Sequence, residues 1–152
     1  MHHLLVLRNG HVICECNFAP YRSGIWHATY SMCKSITGMA VGFLISEGKL
    51  SLDENVYDIF EKRNGLLQKI LRPNLTVEHL LTMKSGVQFN EMGVVSGNDW
   101  VDSFLNAPVK GTPGEAFEYN SMNTYLLSAI IQERTGMKMV CLLYTSDAAD
   151  EP

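Results

Sequence analysis

The sequence predicts an α+β fold in which one β-hairpin leads into a run of helices. Three observations carry that reading. Two apolar runs near the N-terminus, "LLVLR" and "HVICEC", flank Asn9-Gly10, the dipeptide that most strongly signals a two-residue hairpin turn. From Ser31 onward the apolar residues recur at helical spacing instead. Each of those later runs is closed by glycine or proline. A chain of 152 residues with 46% hydrophobic content can bury one core, so it forms one domain or part of a larger one.

The elements follow in order. "LLVLRNGHVICEC" reads as the hairpin, and "FAPYRSGIWHATY" as a connecting loop of aromatic and turn residues. Ile36, Met39, Ala40, Phe43 and Leu44 mark a helix that starts at Ser31 and has Gly48 as its C-cap. "LSLDENVYDIF" takes the chain away from that helix. "LTVEHLLTMKSG" reads as a short helix with Thr76 at the N-cap and Gly86 just past its end. "NDWVDSFLNAP" reads likewise and stops at Pro108. "VKGTPGEAFEYNS" is a loop, and "SMNTYLLSAIIQERTG" is a buried helix closed by Gly136.

Composition excludes several functions. "CLLYTSDAADE", Cys141 to Glu151, resembles the in-frame translation of a sequencing adapter, so residues 141–152 are set apart from the domain at 1–140. Setting them aside removes three carboxylates (Asp147, Asp150 and Glu151) and no cation, so the formal net charge of −4 becomes −1. A nearly neutral chain without basic clusters offers no footprint for nucleic acid or an anionic membrane surface. The most apolar stretch, around Met39 to Ile45, is far short of the roughly 20 residues that span a bilayer. No signal peptide is visible at the start. Cys14 and Cys16 are two apart, on one face of a strand, and lack the second Cys/His pair of a zinc site. Cys33 reads as a small buried hydrophobe. Unpaired cysteines favour a reducing, cytoplasmic compartment.

The residues that suggest chemistry are two S-x-x-K pairs, Ser31/Lys34 and Ser46/Lys49. Spacing alone does not separate them, because such a pair turns up on the order of once in a chain this long. Position does. Ser46 falls in the last turn of the predicted helix, where carbonyls point outward, and Lys49 lies beyond Gly48 as a solvated cation. Ser31 falls at the helix start, where free amides and the helix dipole favour developing negative charge. Lys34 shares its face one turn on and could take the hydroxyl proton. The plain alternative, Ser31 as an N-cap and Lys34 as a surface cation, stands beside this reading on the residues alone.

Three blocks resemble the β-lactamase and penicillin-binding-protein superfamily, in its class C-like branch of serine hydrolases. "SMCKSITGMAVGFLISEGKLSLDENV" resembles the nucleophile helix and its exit, in a group for which S-x-x-K is a signature. "LTVEHLLTMKSGVQF" resembles the "LLTHTSG" segment, with Met83 where histidine is common. "PGEAFEYNSMNTYLLSAIIQERTG" resembles the stretch carrying the second motif. The resemblance implies the N-terminal part of a β-lactamase/transpeptidase-like fold, with its C-terminal strands and third motif outside this chain, which alone is then expected to be inactive. It makes Ser31 the acylated nucleophile, Lys34 its activating partner and Tyr119 the general base and acid.

Ser121 stands where that second motif usually has asparagine, and its hydroxyl can still bind substrate, with shorter reach and one fewer donor. Asn120, one residue away, points in a different direction and is not a substitute. The implied substrate is a small-molecule ester or amide, with no metal or organic cofactor; the alternative is a non-catalytic relative that binds a peptide or cell-wall ligand. Five histidines (2, 3, 11, 27 and 79) have no metal spacing, and His79 reads as a structural hydrogen-bonder. Trp26 and Trp100 read as packing residues before cleft residues, and Asp53 and Glu54 as turn residues.

Overall fold

The computed structural model describes residues 1–63, 72–89 and 98–148. The chain divides into two compact units, Met1–Tyr30 and Ser31–Pro152. The first contains the hairpin: β1 (His3–Arg8) pairs antiparallel with β2 (His11–Asn17), and Arg8 faces His11 across the turn. Asn9 and Gly10 both take positive φ, 50° and 78°, the geometry of the primed turn whose twist matches the strands. The register shifts between Val6, opposite Cys14, and Leu7, opposite Val12, so Ile13 is the extra residue of a bulge. Cys14 and Cys16 lie on one face as their spacing requires, with sulfurs 3.5 Å apart. In the same unit His2 stacks on Tyr21 at 3.7 Å, and His27 leans against both rings.

The second unit is helical. A single 3-10 turn, Tyr30–Met32, leads into α1 (Cys33–Ser46). Then follow α2 (Val56–Ile59), α3 (Val77–Leu81), α4 (Trp100–Asn106), α5 (Ser121–Thr135) and α6 (Met139–Ala148). α5 is the central helix and packs against α1, α3, α4 and α6. Met122, Leu126, Leu127, Ile130 and Ile131 form its buried stripe at helical spacing, and Asn123 is the one polar member. Each fully buried aliphatic there contributes about 1.5–3 kcal/mol by leaving water. α1 faces them with Thr37, Ala40, Val41 and Leu44.

The helix ends follow local chemistry. α1 closes in a Schellman motif: the Lys49 amide donates to the Leu44 carbonyl (2.9 Å) and the Gly48 amide to that of Ile45 (3.0 Å). Asp99 caps α4 by accepting from the Asp102 amide (3.1 Å), and the helix stops ahead of Pro108 as expected. Asn120 caps α5, and Gly136 ends it with φ 70°. α2 escaped the sequence reading because four residues are too few to show a period; Asn55 starts it by accepting from the Tyr57 amide (2.8 Å).

Two expectations need correction. α3 ends at Leu81, well before Gly86, because Met83 takes the left-handed position (φ 57°) usually given to glycine. The Lys84 amide donates to the His79 carbonyl (2.8 Å) and the Met83 amide to that of Leu80 (3.2 Å), closing the helix there. Cys33 is exposed rather than buried. It heads the same stripe as Thr37 and Ala40 but sits a full turn before the first core residue of α1.

α6 runs across residue 140 and lays Met139, Leu142 and Leu143 against the core. Among the described residues no helix is long and apolar enough to cross a membrane.

Candidate active site

Ser31 lies in the 3-10 turn that feeds α1, and Lys34 lies in the helix's first turn. Three residues of helical backbone place both side chains on one face. The Lys34 ammonium donates to Ser31 Oγ at 3.0 Å. The residue before Ser31, Tyr30, has φ 45°, so the chain bends sharply just ahead of the serine. The second S-x-x-K pair makes no comparable contact. Ser46 turns its hydroxyl back onto the Phe43 carbonyl (2.8 Å), and Lys49 pairs with the exposed Glu47 (2.7 Å).

Tyr119 reaches the same serine from the loop ahead of α5. Its hydroxyl lies 2.6 Å from Ser31 Oγ, across 88 positions of sequence. Lys34 Nζ sits 5.1 Å from the centre of the tyrosine ring. A hydrogen bond from the Lys34 ammonium, first, and then that with Ser31 hold the Tyr119 phenol below the usual tyrosine range against desolvation, and Ser121 adds a lesser lowering. The four residues singled out in the sequence (Ser31, Lys34, Tyr119 and Ser121) therefore converge on one hydroxyl cluster. Such a cluster can remove a proton from Ser31 and return one to a leaving group.

The loop bearing Tyr119 is fixed on both sides. The Glu118 amide donates to the Met83 carbonyl (2.9 Å). The Asn120 amide group donates to the carbonyls of Val87 (3.1 Å) and Phe89 (2.9 Å), while its oxygen accepts from the Met122 amide (2.9 Å). Asn120 thus points away from the serine, as adjacent side chains do, and serves as cap and tie. Beneath it Ser85 donates to Asn123 (2.8 Å), whose amide reaches the Met83 sulfur (3.5 Å). Sequence reasoning missed this supporting layer. The N-cap signal of Asn120 ahead of an apolar helix was available; the pairing of Met83, Ser85 and Asn123 left no spacing pattern to read.

Of the remaining candidates, His79, Trp100, Asp53 and Glu54 are structural, whereas Trp26, expected to pack, has its side chain in solvent. His79 completes a capping box with Thr76: its amide donates to Thr76 Oγ1 and its ring accepts from the Thr76 amide, each at 3.3 Å. Trp100 packs edge-on against Tyr125 at 5.3 Å. Asp53 accepts from the Ser51 hydroxyl, which lowers its pKa, and Glu54 pairs with Arg134.

Residues 3–145 match the family described as Beta-lactamase. The chain belongs to the beta-lactamase family. Within it, the chain is similar to Esterase EstB of Burkholderia gladioli, at 27% identity over 79% of this chain and 35% of the esterase. It is similar to Protein flp of Staphylococcus aureus, at 33% identity over 69% of this chain and 22% of flp. Among solved structures it superposes on the D-amino acid amidase of Ochrobactrum anthropi with TM-score 0.66 and 21% identity, covering 94% of this chain and 47% of the amidase. The chain spans about a third of the esterase and about a fifth of flp. Its α+β fold, hairpin first and helices after, matches the N-terminal part of beta-lactamase-like folds.

Proposed function

We propose that the protein is a serine hydrolase that cleaves an ester or amide through an acyl-enzyme on Ser31. One observation carries the reading: Ser31 Oγ lies 2.6 Å from Tyr119 Oη, a group able to take its proton, and 3.0 Å from the cationic Lys34 Nζ. Ser31 Oγ attacks the substrate carbonyl carbon as its proton passes to the Tyr119 oxygen. The lowered phenol pKa favours the phenolate that accepts it, and the Lys34 cation stabilises that charge. The phenol then gives its proton to the departing alcohol or amine, leaving Ser31 acylated. Water, deprotonated by the same phenolate, attacks the acyl carbon, and the phenol returns that proton to Ser31 Oγ as the acid departs. Ser121, beside the phenol, adds to the lowering of its pKa.

The names of the relatives, an esterase and an amidase, agree with the two bond classes. The reading extends to the whole protein: a further strand completes the oxyanion hole, and chain 1–152 alone does not turn over. Absence of one oxyanion donor costs about 100- to 1000-fold.

The test uses protein carrying the complete domain. A fluorophosphonate probe labels Ser31 and spares Ser46, and Ser31→Ala abolishes turnover of a p-nitrophenyl ester. Labelling at Ser46, or undiminished turnover in Ser31→Ala, rejects the assignment. Tight binding of a peptide or cell-wall ligand without acylation identifies the protein as a binding relative instead.

A further inference from the structure

We infer that Met83 is the positioning residue for Tyr119, and that it acts through its left-handed backbone rather than through its side-chain bulk. The inference rests on the reading of Tyr119 as the proton carrier for Ser31. Three residues other than glycine have positive φ among the described residues: Asn9 in the hairpin turn, Tyr30 beside Ser31, and Met83. A long side chain in that conformation is uncommon and persists where surrounding contacts enforce it.

At Met83 one of the enforcing contacts leads directly to the neighbour of Tyr119. The left-handed turn closes α3 and directs the Met83 carbonyl onto the Glu118 amide at 2.9 Å, one residue before the tyrosine. The next carbonyl, of Lys84, accepts from the Gly114 amide at 2.8 Å. From there the chain runs on to Val87 and Phe89, whose carbonyls hold the Asn120 amide group one residue after the tyrosine. Segment 83–89 therefore grips Tyr119 from both neighbours, and its direction is set where α3 stops.

The turn is itself locked from beneath. Asn123 and Ser85 are 0% and 2% exposed, and both are satisfied: Ser85 donates to Asn123 and accepts from the Val87 amide (3.3 Å), and Asn123 donates to the Met83 sulfur. A change of φ at Met83 would break this buried group and rotate its carbonyl off Glu118. The phenol would then leave its 2.6 Å contact with Ser31.

The test exploits an inverted order of tolerance. Glycine and asparagine accept a left-handed backbone, and a β-branched residue does not. In protein carrying the complete domain, Met83→Gly, Met83→Asn, Met83→Ala, Met83→Ile and Tyr119→Phe are compared for kcat, KM and pH profile. Near-ultraviolet circular dichroism at the assay temperature restricts the comparison to folded variants.

The expected order of kcat is Gly and Asn above Ala above Ile, although isoleucine is nearest to methionine in size. Met83→Ile falls about 10- to 100-fold, in line with an active-site group displaced by about 1 Å. Its KM stays close to the parent's, and the limb on which kcat/KM rises with pH moves up toward that of an ordinary phenol. If isoleucine leaves the kcat to KM split untouched, the inference is overturned; it fails equally if the substitutions rank by size, or change melting temperature alone. A Met83 series that is flat while Tyr119→Phe is inactive removes Met83 and keeps Tyr119. Full turnover in Tyr119→Phe removes the reading of Tyr119, and the inference with it.

Discussion

Gly86→Ala is the substitution that most directly tests how the supporting layer is built. Gly86 has φ 67°, and a Cβ there would lie 2.5 Å from the Lys110 carbonyl oxygen, a backbone atom that cannot swing aside. The left-handed conformation costs a non-glycine residue about 1–2 kcal/mol. Relieving the overlap means separating segment 86–88 from 108–110. That sacrifices the bonds from the Lys110 amide to Gly86 and from the Gln88 amide to Pro108, both 2.9 Å. At about 1 kcal/mol for each bond the total reaches about 3–4 kcal/mol. Gly136→Ala is the internal control: its φ is 70°, but nothing lies within 4 Å of the new Cβ, so only the conformational cost applies. Urea unfolding of both variants in protein carrying the complete domain measures the contrast. A difference of about 2 kcal/mol corresponds to a midpoint about 1 M lower for Gly86→Ala when the slope is about 2 kcal/mol per molar. Coincident midpoints would show that segment 108–110 yields freely and that the close approach does not constrain the site.

Tyr119→Phe keeps the ring and removes the hydroxyl, so the fold survives while turnover drops about 100-fold or more, as for other general acid-base groups; steady-state ester hydrolysis measures it, and parent-like rates exclude the proton role. The base form of Tyr119 is the phenolate, so kcat/KM rises with pH through an apparent pKa below the ordinary 10.0. Lys34→Met takes away the largest cause of that lowering and moves the limb upward, whereas Tyr119→Phe erases it; a limb indifferent to both substitutions belongs to another group. Ser121→Asn restores the residue common in the family and keeps or raises turnover, and a loss beyond about 10-fold would show that the cluster has adapted to the shorter side chain.

Much of this was legible in the sequence because local rules governed it. Asn9-Gly10 located the hairpin without help from the rest of the chain. Ser31 and Lys34 stood out from Ser46 and Lys49 because helix ends are chemically unequal; in the structure Lys34 donates to Ser31, while Ser46 bonds the Phe43 carbonyl and Lys49 pairs with Glu47. Tyr119 was visible only through resemblance, since nothing near it in sequence distinguishes a proton carrier from a loop aromatic. Gly86 misled: a glycine after an apolar helix reads as a cap, yet its role is the close approach of Lys110, a partner 24 positions away. Met83 was opaque for the complementary reason, because a methionine carries no sign that tertiary contacts will hold it left-handed. Cys33 was read as buried from its residue type, and exposure followed from its place at the helix end.

The cluster at Ser31 is assembled from one short-range contact and one very distant one. Lys34 meets the serine as soon as the first turn of α1 forms; Tyr119 arrives from 88 positions downstream. On a ribosome adding about 5–20 residues per second, that interval is about 4–18 s, during which the serine is without its phenol. On the proposed function, docking of the α5 region against α1, and not synthesis of the serine itself, is the step that brings the phenol to Ser31. On the same reading, the rate of probe capture by Ser31 in protein carrying the complete domain becomes a clock for completion of the fold, with helical signal expected first and labelling last.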